Sequence, residues 1–291
     1  MGEAIDTSYE PFSREPEYLD LNREFIRALA LEGDLSVLDL ACGTATLTGM
    51  ILEELGRRVR VVGVDLSRRS LLIARADLGE ACRFGDPGAR VTLVEASGDR
   101  PPARPGSFDL VVIGNAIHCF PDRDRLLAEI RRALRPGGRF AFNTSFYAGT
   151  FVPGTERFYE EWLKEAVKRI RARDQEERRA GRPGIPRTRG RGAVAFSRPW
   201  LSPRQYGEEL ERHGFRVTRV HERTVMMSRR AFETVGAYEG MAAVLLSGYP
   251  VALACEALTL SVPAGLRATG LTEVPRHWLE MEAVREEETP R

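Results

Sequence analysis

Apolar and polar positions follow two rhythms along this chain. Short apolar runs, Val37 to Leu40, Val59 to Val64 and Phe108 to Ile113, read as buried strands. Around them, apolar residues recur at helical spacing: Leu21, Phe25, Ile26 and Leu29 before the first strand, and Leu126, Leu127, Ile130 and Leu134 within Asp122 to Leu134. Ser67 reads as the cap of the helix after the second strand. The segment SPRQYGEELERHGF carries the full signature of a helix, with Ser202 as cap, Pro203 in the first turn, Gln205 closing a capping box and Gly214 as the stop. Val217 to Thr224 and Trp278 to Val284 predict a sixth and a seventh strand. Alternation of strand and helix in this order predicts an α/β fold, a doubly wound Rossmann-like sheet.

Two segments break that rhythm. In residues 146–200, Phe158, Tyr159, Trp162, Leu163, Ala166, Val167 and Ile170 make one apolar helix face, while Arg169 to Arg191, rich in arginine, glycine and proline, reads as a mobile loop. Residues 228–276 contain the apolar run Met241 to Leu258. Gly248 and Pro250 break it and Glu256 interrupts it, so two short buried helices joined at Tyr249-Pro250 fit better than a membrane span. The expected organisation is a core over 1–145, an insertion over 146–200, a core helix and strand over 201–227, a second insertion over 228–276, and a last strand with tail over 277–291. Both insertions leave the end of the sheet where ligands bind in open α/β folds. They are expected to pack on each other as a mainly helical cap over an apolar acceptor cavity, with Phe158, Trp162, Val167, Ile170, Leu245, Leu246, Val251 and Leu253 buried together. A homodimer interface is the competing use of the same surfaces.

Composition narrows the picture only modestly. With 43 basic and 42 acidic residues the net charge is +1, so no global field favours nucleic acid or membrane. Cys42, Cys82, Cys119 and Cys255 are scattered without metal spacing, as expected of reduced cysteines in a cytoplasmic protein, and no metal is expected. The acidic N-terminus MGEAIDTSYE has no apolar core of a secretory signal.

The chemistry concentrates in VLDLACGTAT, Val37 to Thr46, a strand running into a turn of small residues that opens a helix. Ala41, Gly43 and Ala45 leave backbone amides open to a ligand. Asp39 is unusual within a strand, because a buried carboxylate needs a partner, and a cation or amine is the natural one. The second apolar run ends in Asp65, about 20 residues past the turn, where an acid accepts hydrogen bonds from ribose hydroxyls.

These residues resemble those of the class I S-adenosylmethionine-dependent methyltransferases, in the branch that modifies small molecules. The family's first motif, an acid followed by alternating glycines, is matched by Asp39, Ala41, Gly43 and Ala45, with alanine replacing glycine twice. Gly98 and Asp99 stand where the family holds the adenine amino group, Asn115 to His118 where it closes the cofactor pocket, and LRPGGRFAFNTS where it places its fifth strand. The matches cover roughly Tyr9 to Ser145 and resume over Leu201 to Val220 and Trp278 to Arg285. The resemblance implies a seven-stranded sheet with its last strand antiparallel and S-adenosylmethionine as cofactor. It implies cofactor contacts from Tyr9, Tyr18, Asp39, Ala41, Gly43, Asp65, Leu66, Gly98, Asp99 and Asn115, the two tyrosines at the methionine end.

Methyl transfer needs the nucleophile and the methyl group held in line, and a base only where the nucleophile carries a proton. His118, at the end of the fourth strand, is the expected base; His221 and Glu222 are weaker candidates, and His213 reads as a solvated charge at a helix end. Expected acceptor contacts come from the aromatic pair Phe146 and Tyr147, just before Ala148, and from Trp162, Met226 and Met227. Asn115-Ala116-Ile117-His118 lacks the Pro-Pro-aromatic sequence of enzymes that methylate exocyclic amines of bases, and no Pro-Cys pair suggests cytosine chemistry. A hydrophobic or aromatic small molecule is the expected acceptor, with the arginine-rich loop placed to receive an acidic group. RNA or protein methylation using the 169–191 loop, and a non-catalytic binding module, are the alternatives.

Overall fold

A computed structural model describes residues 10–82, 90–187 and 199–287. In chain order the elements are α1 (Glu10–Ser13), α2 (Pro16–Ala28), β1 (Leu35–Leu40), α3 (Thr46–Leu55), β2 (Val59–Asp65), α4 (Arg68–Leu78), β3 (Val91–Glu95), β4 (Phe108–Gly114), α5 (Arg123–Ala133) and β5 (Leu134–Thr144). They continue with α6 (Glu156–Arg179), α7 (Pro203–Arg212), β6 (Phe215–Ser228), α8 (Arg229–Ala237), α9 (Glu239–Leu245), α10 (Val251–Thr269) and β7 (Glu273–Arg285). The seven strands form one sheet in the order β3-β2-β1-β4-β5-β7-β6. Strands β1 to β5 pair in parallel, and β7 runs antiparallel to β5.

The central strands are apolar on both faces because helices cover both. Leu38, Val111, Ile113, Phe140 and Phe142 pack with Leu126, Ile130, Tyr206 and Leu210 of α5 and α7. Their sequence neighbours Val37, Leu110, Val112 and Ala141 pack with Phe25, Ile26, Met50 and Ile51 of α2 and α3. Adjacent residues of one strand thus serve opposite cores. Strands β6 and β7 are longer than the apolar runs predict; the alternation of exposed and more buried positions continues past Thr224 to Met227, and β7 gains Glu273 to His277 ahead of its apolar run.

The chain divides into two compact units, one of residues 18–150, 200–223 and 278–291 holding the sheet, the other of 1–17, 151–199 and 224–277, mainly helical. In the helical unit α6 and α8 both pack on α10. Trp162 lies parallel to Phe158 at 5.9 Å and meets Phe232 edge-on at 5.7 Å, and its indole N–H donates to the Leu258 carbonyl at 2.7 Å. Gly265 lets α10 approach α6, since a Cβ there would stand 2.9 Å from Phe158.

Three expectations are corrected in this unit. The segment from Arg169 is helical as far as Arg179, because no glycine or proline interrupts it before Gly181 and Pro183. Four of its arginines lie beside carboxylates while staying exposed: Arg169 lies 3.6 Å from Glu165, Arg173 3.6 Å from Glu256, Arg178 2.9 Å from Asp174, and Arg182 pairs with Glu177. The apolar run of the second insertion does fall on two helices, α9 and α10, broken at 246–250 where Tyr249-Pro250 was expected to join them, but the second is not short, since α10 extends to Thr269 with Pro263 inside it. By length and composition α10 alone among the described helices could cross a membrane, yet Ala254, Ala257, Leu258 and Val262 are buried within the protein. Phe158, Trp162, Ile170 and Leu246 are buried, whereas Val167, Leu245, Val251 and Leu253 are only half-buried because they flank the buried helix faces.

Candidate active site

The turn after β1 is held in an uncommon backbone conformation. Ala41, Gly43 and Ala45 all have positive φ, at 54°, 54° and 64°. Only glycine adopts that region freely, and an L-residue there costs about 1–2 kcal/mol. The two alanines therefore store strain where the chain must turn sharply. Asp65 pins the turn: its Oδ2 accepts from the Gly43 N–H at 2.8 Å and its Oδ1 from the Ser67 N–H at 2.8 Å. The ends of β1 and β2 are thus tied by one carboxylate, and each oxygen keeps a lone pair for another donor. Beside it Leu66 is 72% exposed, an apolar side chain held out in solvent at a strand end. Ser67 caps α4 by accepting from the Ser70 N–H.

Asp39 is 1% exposed, and its partner within the protein is a hydroxyl. The Thr48 hydroxyl, in the first turn of α3, donates to Asp39 Oδ2 at 2.6 Å. Burial pushes the Asp39 carboxyl up to about 7; the Thr48 bond opposes this and the nearby Asp65 charge adds to it.

At the next strand ends, Gly98 is required by packing, as a Cβ would stand 2.8 Å from the Phe120 ring. Asp99 accepts from the Ser97 hydroxyl and lies 3.9 Å from Arg125. Asn115 ends β4 with φ 47° and is buried. Its N–H donates to Asn143 Oδ1 at 2.9 Å, and its own Oδ1 accepts from the Ser145 N–H at 2.8 Å. Asn143 Nδ2 donates to Asn22 Oδ1 at 2.8 Å, and Asn22 Nδ2 donates to the Tyr18 carbonyl at 2.8 Å. Sequence reasoning missed Asn22, Asn143 and Thr48. The signal available was polarity out of place, an asparagine inside the apolar run FAFNTS and another on the buried face of α2.

His118 sits in a 3-10 turn, Ile117–Cys119, half-buried, with its ring 4.0 Å from the Phe146 ring. Phe146 meets Trp200 edge-on at 5.8 Å. Tyr147 is fully buried and its hydroxyl donates to Glu222 Oε1 at 2.7 Å, so both expected acceptor aromatics are interior residues. Trp162 is likewise interior to the helical unit, Met227 is buried and Met226 is 46% exposed. Tyr18 is buried edge-on against Trp278 at 6.1 Å, and burial raises its phenol. Tyr9 lies outside the described residues. His221 is exposed. His213 is not a solvated charge: Nδ1 lies 2.8 Å from the Glu209 carbonyl and Nε2 3.3 Å from Asp124, with 18% of the side chain exposed. Among the described residues no group of three or more histidines, cysteines or acids could hold a metal.

A family model described as a methyltransferase domain matches residues 37–138, the stretch that carries Asp39, Asp65, Asp99 and Asn115. This stretch is a class I S-adenosylmethionine-dependent methyltransferase domain. The methyltransferase domain is 38% identical over 105 residues to the demethylmenaquinone methyltransferase of Lactococcus lactis, covering 36% of this chain and 40% of that protein. It is 32% identical over 133 residues to the ubiquinone/menaquinone biosynthesis C-methyltransferase of Brucella anthropi, covering 46% of this chain and 48% of that protein. The chain thus spans less than half the length of these curated relatives. Among solved structures, a SAM-dependent methyltransferase from Aquifex aeolicus superposes with a TM-score of 0.53 at 13% identity, covering 97% of this chain and all of that one, which is a likeness of fold.

Proposed function

We propose that this protein transfers a methyl group from S-adenosylmethionine to a hydrophobic or aromatic small molecule. The Asp65 carboxylate carries the reading, held by two amides at the β1 and β2 ends with lone pairs left for ribose hydroxyls. The exposed Leu66 beside it suits one face of an adenine ring, and Asp99 suits its amino group. Nothing stands within 4 Å of where a Cβ on Gly43 would be, which suits the thioether chain. The residues present therefore fit the cofactor, which brings the electrophilic methyl when bound. The protein's own part is orientation, and His118 takes a proton where the nucleophile carries one. The aromatic acceptor class is supported by the quinone-related names of the two curated relatives.

Calorimetry with S-adenosylhomocysteine tests the cofactor site. Asp65→Ala removes charge-assisted hydrogen bonds worth about 1.5–3 kcal/mol each. Affinity is expected to fall at least tenfold, with the thermal transition retained; an unchanged affinity in a folded variant rejects the assignment. His118→Gln separates the base from the binder: turnover falls about a hundredfold and regains rate at high pH, while cofactor affinity holds.

A further inference from the structure

The asparagine chain beneath the proposed cofactor site has a direction, and backbone groups fix it. The Asn115 N–H is shared between the Asn143 backbone carbonyl at 3.0 Å and the Asn143 side-chain atom at 2.9 Å; a donor must face an oxygen there, so that atom is Oδ1 and the amide nitrogen of Asn143 points the other way. That nitrogen donates to Asn22, which fixes Asn22 Oδ1 as acceptor and sends Asn22 Nδ2 to the Tyr18 carbonyl. At the other end, the Ser145 N–H fixes Asn115 Oδ1. No amide in the series can flip without losing a backbone partner. The consequence falls on one atom. Asn115 Nδ2 is buried with no hydrogen-bond partner, on a residue only 7% exposed, at the end of β4 beside β1. A buried amide left unpaired is costly, and three other asparagine and serine side chains hold this one in place. The left-handed φ of 47° is one that asparagine tolerates better than most residues.

We infer that Asn22 and Asn143 are positioning residues that present Asn115 Nδ2 to the amino-acid carboxylate of the bound cofactor. This rests on the cofactor reading above. The chemistry selects the group. An N–H donor needs an acceptor and is repelled by an ammonium or a sulfonium. The cofactor's acceptors are its ribose, its adenine ring and its carboxylate. Asp65 meets the first and Leu66 with Asp99 the second, so the carboxylate is the group left for Asn115.

The test compares S-adenosylhomocysteine with its decarboxylated analogue, which keeps nucleoside, thioether and amine, by calorimetry on the full chain. The wild type is expected to bind the carboxylated ligand at least tenfold more tightly. Asn115→Gly accepts the φ and removes the donor, so it should bring that ratio close to one without weakening the analogue more than threefold. Asn143→Leu, which removes the relay one step away, should lower the ratio at least threefold, with Asn143→Gln recovering part of it. A purely structural role would weaken both ligands together, and that result overturns the inference, as does a wild-type ratio of one. If neither ligand binds the wild type, the cofactor reading fails first and takes the inference with it. Where Asn115→Gly does not fold, Asn143→Leu decides by the same ratio.

Discussion

The sheet unit and the helical unit bury different things. At and beside its strand ends the sheet unit buries Asp39, Asn115, Asn143 and Ser145, with Asn22 of α2 against them, and across its last strands it buries Glu280 between Arg219 and Arg223. The helical unit is built chiefly around rings, Phe158, Trp162 and Phe232, with small residues where helices approach. Its buried carboxylate, Glu15, is met by Thr234 and Arg230. A buried polar group costs stability unless it is hydrogen-bonded, whereas a buried ring stabilises by its burial alone. The contrast separates a region arranged for recognition, at a cost in stability, from one arranged for packing.

The contrast breaks most visibly at Trp162. Trp162→Ala removes a fully buried ring and leaves the Leu258 carbonyl without its indole donor. The expected loss is about 3–5 kcal/mol in urea unfolding, with affinity for S-adenosylhomocysteine staying within threefold of wild type. A loss below about 1 kcal/mol would mean the aromatic cluster is not the packing centre.

Asp39 offers the opposite experiment, a substitution expected to stabilise. An unfolded aspartate releases its proton near pH 3.9, whereas burial holds the folded one up to about 7. Between those values the folded state binds more protons, so raising the pH costs stability, and the whole cost is present above pH 7. A shift of about three units is worth at most about 4 kcal/mol. Asn at this position keeps an oxygen for the Thr48 hydroxyl and cannot ionise. Asp39→Asn should raise the urea midpoint at pH 7.5 and flatten the decline between pH 5 and 7.5, while weakening the cofactor site. An unchanged pH slope would show that Asp39 is solvated in the folded chain.

Legibility in the sequence followed the same division. The strand–turn–helix units were readable because their apolar runs are short, bounded and covered on both faces, and Ser67, Ser202 and Gln205 announce their caps locally. Asp65 was readable because its spacing from the turn is fixed by one βαβ unit. Thr48, Asn22 and Asn143 were not, since their partners lie 9 to 121 residues away and only the fold brings them together. The helical unit was misread where composition misleads: Arg169 to Arg179 is basic, yet carboxylates four residues away, or on α10, make it an ordinary helix face. The burial of Phe146 and Tyr147 was not legible, because exposure is invisible to spacing.

The smallest expected effect tests whether the sheet unit's stability is also set by local signals that are neither buried nor aromatic. In α7 the Ser202 hydroxyl accepts from the Gln205 N–H at 3.3 Å while Gln205 Oε1 accepts from the Ser202 N–H at 2.9 Å. Tyr206 and Leu210 of that helix are buried in the core shared with α5, and Arg123 holds Glu209 through two bonds. Fraying of its first turn therefore loosens a covered face of the sheet without touching the proposed site. Ser202→Ala should cost about 1 kcal/mol, within a range of about 0.5–2, and Ser202→Asp should recover most of it by supplying an acceptor at the same place. Hydrogen exchange should speed at the amides of Gln205 and Tyr206, with Gly43 and Ser67 unchanged. Faster exchange at Gly43 would mean that strain at the β1 turn is held by the whole sheet unit rather than by Asp65.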